Sequence, residues 1–163
     1  MTDGRRKWVT LISAALVAPI FAATLTATVL AFVMFPELIF QTEISSGVYR
    51  QATLREMATS LVGFSFVGLF LGIMLGWPAM LIGGLSLHTF FLRRRMTSVM
   101  TYGLAGLVAG TWVMLAYFMV TGGWRTPMTV LQMGPALVSG PITGLLSASI
   151  FWLIRRPDRI LHP

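Results

Sequence analysis

RRKWVTLISAALVAPIFAATLTATVLAFVMF, residues 5–35, sets three basic residues directly before 28 residues without a charged side chain. A helix needs about 20 consecutive apolar residues to cross the core of a bilayer. The run is too long for the apolar region of a removable signal peptide, so it predicts an uncleaved membrane span over 8–35. Pro19, inside the run, predicts a kink because it removes an intrahelical hydrogen bond.

The composition of the whole chain also indicates a membrane protein. Of its 163 residues, 56% are hydrophobic and 10% are charged. A globular protein carries about 25% charged residues to cover its wet surface, so lipid is the expected solvent for most of this one. The net charge of +7 does not indicate a nucleic-acid partner, because the basic residues lie beside the ends of apolar segments, where they meet lipid headgroups.

Three further apolar segments predict an all-α fold, a four-transmembrane-helix bundle in a single membrane domain. We predict the second, third and fourth spans over 57–83, 97–120 and 128–154. An outer loop over 36–56 joins the first two spans, and a cytoplasmic basic turn over 84–96 joins the second to the third.

Nine of the twelve basic residues fall in three clusters, and these clusters predict the orientation. Basic residues that flank spans are retained on the cytoplasmic side, so both termini and the turn over 84–96 are predicted to be cytoplasmic. The clusters are also expected to contact lipid headgroups. Their members are Arg5, Arg6, Lys7, Arg93, Arg94, Arg95, Arg155, Arg156 and Arg159.

Reporter fusions test this orientation. Fusions after residues 45, 93, 125 and 160 are expected to report outside, inside, outside and inside, because nine basic residues then lie in the cytoplasm and three lie outside. An inside signal at residue 125 would contradict the four-span prediction.

Each predicted span carries small residues at close to four-residue spacing, which lets helix backbones approach closely in lipid. Such a stripe fits either the interior of the bundle or a face that meets a second protein, and the sequence leaves both open. The first span has Ala14, Ala18 and Ala22. The candidate packing glycines of the other spans are Gly68, Gly72, Gly76, Gly106, Gly110, Gly140 and Gly144.

The ionisable residues indicate no catalytic or metal site. The predicted span cores contain no Asp, Glu, Lys or Arg, and such residues normally mark a proton or substrate path. The absence of cysteine excludes thiolate metal sites and a catalytic thiol. We therefore expect no enzymatic activity, no metal and no cofactor. Glu37 or Glu56 is expected to pair with Arg50 or Arg55 at the outer surface.

His88 is expected to be a solvated surface residue. The sequences Gly76-Trp77-Pro78 and Gly83-Gly84 predict breaks in the second apolar segment, after which His88 lies beside the arginines of the basic turn. A single histidine cannot supply both axial ligands of a b-type haem. The alternative is a ligand to one chlorophyll or quinone-like group.

Three segments, GWPAMLIGGLSLHTFFLRRR, YGLAGLVAG and GPITGLLSASIFWLIRRPD, lie between Gly76 and Asp158. They resemble segments of small four-span inner-membrane proteins of proteobacteria. The resemblance implies a bacterial inner membrane and brings no activity or ligand.

Charge-free span cores and a small extramembrane mass favour a non-enzymatic accessory or assembly subunit. Such a subunit packs against other membrane subunits or against itself through its helices. The alternative is a transporter or channel subunit that oligomerises around a pore. The hydroxyl side chains available to line that pore are Thr24, Thr28, Ser60, Ser65, Ser139, Thr143 and Ser147.

Overall fold

The computed structural model of the protein describes residues 2–121 and 130–156. Within these ranges the chain is helical apart from one short hairpin and short connecting segments, which confirms the predicted all-α bundle. The predicted turn between the third and fourth spans, the first residues of the fourth span and Arg159 lie outside the described residues. The elements are α1 (Thr2–Met34), α2 (Pro36–Phe40), β1 (Gln41–Ser45), β2 (Val48–Gln51), α3 (Leu54–Leu71), α4 (Leu85–Arg93), α5 (Val99–Thr121) and α6 (Val130–Arg155).

Four helical segments in the described part of the chain are long and apolar enough to cross a membrane. They run over Trp8–Met34, Leu54–Gly76, Val99–Thr121 and Leu137–Arg155. At a rise of about 1.5 Å per residue, they are about 29 to 40 Å long, which is enough to cross a hydrocarbon core of about 30 Å. The protein is therefore a multi-pass membrane protein.

Helix α1 is the central helix of the bundle. It packs against α3 and against α6, and α6 packs in turn against α5. The side chains of Ala14, Ala18 and Ala22 on α1 are fully buried. Small side chains on the central helix let its neighbours come close, and this close packing is the main attraction between helices in lipid.

The second apolar segment forms one continuous helix from α3 to the end of α4. Two π-helical stretches, Gly72–Gly76 and Ala79–Gly84, lie within it. The N–H of Trp77 bonds to the carbonyl of Gly72, five residues earlier. This wider turn accommodates Pro78, which has no N–H and whose ring crowds the preceding turn. The predicted breaks in this segment are therefore wrong.

The region predicted as a basic turn over 84–96 is largely helical. Helix α4 continues to Arg93, and the turn residues are Arg94 and Arg95. Arg95 has a φ of 57°, in the left-handed region, and its N–H bonds to the carbonyl of Leu92. The reversal between α4 and α5 is thus short.

The polar segment between the first two spans contains an antiparallel β-hairpin. Thr42 lies opposite Arg50 in its register. Gly47 forms the turn with a φ of 83°, a conformation that glycine adopts without steric cost. The residues over 48–51, which lie in the predicted outer loop, form strand β2.

Helix α3 begins at a capping box. The hydroxyl of Thr53 accepts a hydrogen bond from the N–H of Glu56, whose carboxylate accepts the N–H of Thr53. The same carboxylate pairs with Arg50 through two bonds of 2.6 and 3.0 Å, which raises the pKa of the Arg50 guanidinium. The predicted surface pairing is confirmed for Glu56 and Arg50, and it ties the hairpin to the start of α3.

Candidate functional site

One end of the bundle carries the basic side of the protein. We define the basic end as the end formed by the first turns of α1, the turn at residues 94–95 and the last turn of α6, and the opposite end as the hairpin end. An aromatic cluster lies inside the basic end. Phe91 of α4, Tyr102 of α5 and Phe151 of α6 meet there against Ala14 and Ala18 of α1.

His88 lies inside this aromatic cluster. Its side chain is 3% exposed, and its Nδ1 atom is 2.7 Å from the hydroxyl oxygen of Tyr102. The ring of Phe151 meets the imidazole edge-on, with centroids 5.1 Å apart and an interplanar angle of 80°. The prediction of a solvated histidine is wrong, because the helix does not end before α4 and so carries His88 between its neighbours.

Two side-chain polar atoms at the basic end are buried without a hydrogen-bond partner. They are Nε2 of His88 and Nε of Arg155. Arg155 follows Phe151 by four residues on α6, so the two side chains share a helix face. The ring of Phe151 in turn contacts both the imidazole of His88 and the phenol ring of Tyr102. The site therefore combines an imidazole, a phenol and a guanidinium.

Tyr102 and Phe151 were missed as site residues. A tyrosine three residues inside a span needs a partner for its hydroxyl, and this requirement is the signal that could have identified Tyr102 as a partner of His88. Phe151 carries no such signal, because an aromatic residue in an apolar helix is equally suited to lipid or to the protein interior.

Apart from Arg50 and Arg55, the described basic residues lie at the basic end. Two of their guanidinium groups lie over aromatic rings of the preceding helical turn, Arg94 over Phe90 and Arg156 over Trp152, each 5.7 Å from the ring centroid. Arg93 ends α4 and Arg155 ends α6, while residues 5–7 lie in the first turns of α1. Their contact with lipid headgroups stays a prediction.

Three glycines of the continuous helix that runs from α3 to α4 face α1. A Cβ atom added to Gly68 would lie 2.7 Å from the carbonyl oxygen of Ala23, and one added to Gly72 would lie 2.9 Å from Cα of Ile20. A Cβ atom on Gly76 would lie 2.6 Å from Cβ of Pro19. These three positions leave no room for a side chain between the two helices.

The other four candidate glycines lie at the contact between α5 and α6. A Cβ atom added to Gly140 would lie 2.7 Å from the carbonyl oxygen of Gly110. Cβ atoms on Gly106 or Gly144 would overlap the carbonyl oxygen of the other residue. The small-residue stripes thus meet within this chain, and a partner protein would have to use a different face.

Two of the hydroxyls considered for a pore lie between helices of one chain. Thr28 donates to the carbonyl of Thr24 at 2.9 Å, and its oxygen is 3.1 Å from the Ser65 hydroxyl of α3. A separate small pocket of about 140 Å³ lies between α1 and α6 and is mainly apolar. Its lining residues are Leu25, Thr26, Val29, Leu30, Ile142 and Leu146.

The chain matches no protein-family model, no curated protein and no solved structure. The resemblance to small inner-membrane proteins extends in the structure to four long apolar helices, and it identifies no family.

Proposed function

We propose that the protein is a non-enzymatic accessory or assembly subunit of a larger complex in a bacterial inner membrane. Its partner contact is the outer face of α5, which we call the α5 face. The side chains of this face point away from the rest of the chain and are exposed. They are Leu104, Val108, Trp112, Leu115 and Met119.

Trp112 is the observation that carries this proposal. It lies near the middle of α5, about 20 Å along the helix from Val99, and its side chain is 68% exposed. Its indole N–H has no hydrogen-bond partner within the described chain. Indoles normally lie at the membrane interface, where the ring is in apolar surroundings and the N–H reaches water.

Two other tryptophans, Trp77 and Trp152, differ from Trp112 because each has a hydrogen-bond acceptor within the chain. Trp77 donates its Nε1–H to the carbonyl of Leu16 at 2.8 Å, and Trp152 donates to the carbonyl of Thr97 at 2.7 Å. Lipid tails offer no acceptor, and an unpaired polar group in hydrocarbon is unfavourable. A helix of another subunit against the α5 face would supply the acceptor that this chain lacks.

The proposal of a non-enzymatic role follows from the chemistry of the described side chains. They contain no group of three His, Asp or Glu residues placed to hold a metal ion. Their one salt bridge joins Arg50 to Glu56 at the surface. The imidazole of His88 and the hydroxyl of Tyr102 are buried among aromatic rings, whereas the exposed α5 face is suited to helix packing.

Extraction in a mild detergent tests this function. The protein is expected to purify with a larger assembly, and Trp112→Leu is expected to release it, because leucine keeps an apolar side chain and removes the indole N–H. Size-exclusion chromatography with mass spectrometry of the co-purified chains measures both effects.

Phe66→Leu is the matched control for Trp112→Leu. Phe66 is an aromatic residue of α3 that is 67% exposed, and its replacement is expected to leave the assembly intact. Recovery of the wild-type protein only as a monomer would overturn the proposed function. Equal retention in both variants would overturn the assignment of the α5 face.

A further inference from the structure

The hydrogen bond between Tyr102 and His88 fixes the proton on the imidazole. Within the described chain the Tyr102 hydroxyl has no partner besides Nδ1 of His88. If Nδ1 carried the proton, the buried phenol proton would have no acceptor. The arrangement that satisfies both groups has the hydroxyl donating to Nδ1, which places the ring proton on Nε2. The buried Nε2 atom is then an N–H donor without an acceptor.

Arg155 provides a second buried donor that lacks an acceptor. Its Nε atom is buried and has no partner, and an arginine side chain can only donate. Arg155 lies one helical turn after Phe151, whose ring contacts the imidazole of His88. Because its side chain is half-buried, the site reaches the surface of the protein beside Arg155.

Both unpartnered groups require an acceptor, and the charge of Arg155 favours an anionic one. The carboxylate that forms a salt bridge in the described chain, Glu56, lies at the hairpin end. Phosphate oxygens suit a guanidinium because they accept charge-assisted hydrogen bonds. Residues 93–95 add further positive charge at the same end and favour an anion there.

We propose that Nε2–H of His88 and Nε–H of Arg155 bind a phosphate oxyanion between α4 and α6 at the basic end. Tyr102 acts as a positioning residue, because its hydroxyl holds the imidazole in the tautomer that donates from Nε2. The phosphate belongs either to a phospholipid headgroup or to free inorganic phosphate. The site is independent of the α5 face and of the proposed accessory role.

The binding test uses the purified full-length protein in a mild detergent. One arm adds inorganic phosphate at constant ionic strength, and the other adds phosphatidylglycerol to the micelles. The shift in melting temperature gives the affinity, and native mass spectrometry counts the lipids retained. Binding in the first arm identifies free phosphate, binding only in the second identifies a lipid headgroup, and binding in neither arm would overturn the proposal.

Substitutions of the two donor residues show whether phosphate binds at this specific site or is attracted generally to the basic surface. Arg155→Gln and His88→Phe are each expected to weaken binding about tenfold or more, since each removes a hydrogen bond to a charged group. Arg156→Gln removes an equal charge one residue away and is expected to change the affinity less than threefold. Equal weakening by Arg155→Gln and Arg156→Gln would overturn the proposal.

Two further variants serve as controls. One distinguishes the loss of the donor from misfolding, and the other tests the role of Tyr102. His88→Gln retains an N–H donor and is expected to keep part of the affinity that His88→Phe loses. Tyr102→Phe is expected to weaken binding and to move the ¹⁵N resonances of His88 away from those of the Nε2–H tautomer. Unchanged resonances in Tyr102→Phe would contradict its positioning role. Should His88→Phe not fold, the comparison of Arg155→Gln with Arg156→Gln decides the proposal, because both residues reach the surface.

Discussion

Gly144→Leu is expected to force α5 away from α6 and to lower the free energy of unfolding by about 3 kcal/mol, at the upper end of the usual range for overpacking of a tight contact. A Cβ atom at Gly144 would overlap the carbonyl oxygen of Gly106 and lie 2.9 Å from Cα of Gly110. These are backbone atoms, so no side chain can rotate to make room. Unfolding in detergent micelles, followed by tryptophan fluorescence, measures the loss.

Gly63→Leu provides the matched control for this substitution. A Cβ atom at Gly63 on α3 would have no heavy atom within 4 Å, so a leucine there extends into open space. The expected change in the free energy of unfolding is within about 0.5 kcal/mol. Gly72→Leu, which places a side chain against the backbone of Ile20, is expected to behave like Gly144→Leu. Equal tolerance of all three leucines would contradict the packing described for the bundle.

Phe151→Ala is expected to lower the free energy of unfolding by about 3–4 kcal/mol, within the range for a buried phenylalanine. The side chain is 1% exposed and contacts both His88 and Tyr102. Its removal leaves a cavity between α4, α5 and α6 and deprives the imidazole of its edge-on neighbour. Thermal unfolding in a mild detergent measures this effect.

Phe66→Ala is the control for Phe151→Ala. It removes the same side chain from an exposed position on α3, where lipid or detergent fills the space that the ring leaves. We expect its melting temperature to stay close to that of the wild type. A loss at Phe66 as large as that at Phe151 would show that burial at the basic end is not the cause.

The long helices could be predicted because their signal is local. The length of an apolar run is enough to show whether it can cross a bilayer. The third span, for example, was predicted over 97–120 and corresponds to α5 over Val99–Thr121. The small-residue spacing likewise reflects what two helices need to approach in lipid. The sequence could not indicate which helices meet, because every span carries such a stripe.

The hairpin and the continuous second helix could not be predicted from local patterns. The segment over 41–51 is polar and short, so its strands depend on pairing with each other and on the anchor between Arg50 and Glu56. Proline and glycine ordinarily end a helix. Here packing of Gly76 against Pro19 and the hydrogen bond from Trp77 to Leu16 hold the helix along α1.

The burial of His88 depends on contacts between distant parts of the chain. The imidazole meets Tyr102, which is 14 residues away in the sequence, and Phe151 of the last described helix. The arginines that follow His88 in the sequence suggest that its side chain is exposed to water, whereas the residues that contact it in the structure are aromatic. A candidate site made in this way becomes visible only after the helices have been placed.

The central position of α1 has a consequence for biogenesis. The ribosome makes α1 before the other spans, and α3 can pack against it as soon as both are in the bilayer. The alanines of α1 that face α6 must wait until the last of the four spans has been inserted. During synthesis this side of α1 is therefore exposed to lipid or to an insertion factor. A chain truncated before α6 would keep this side of α1 exposed.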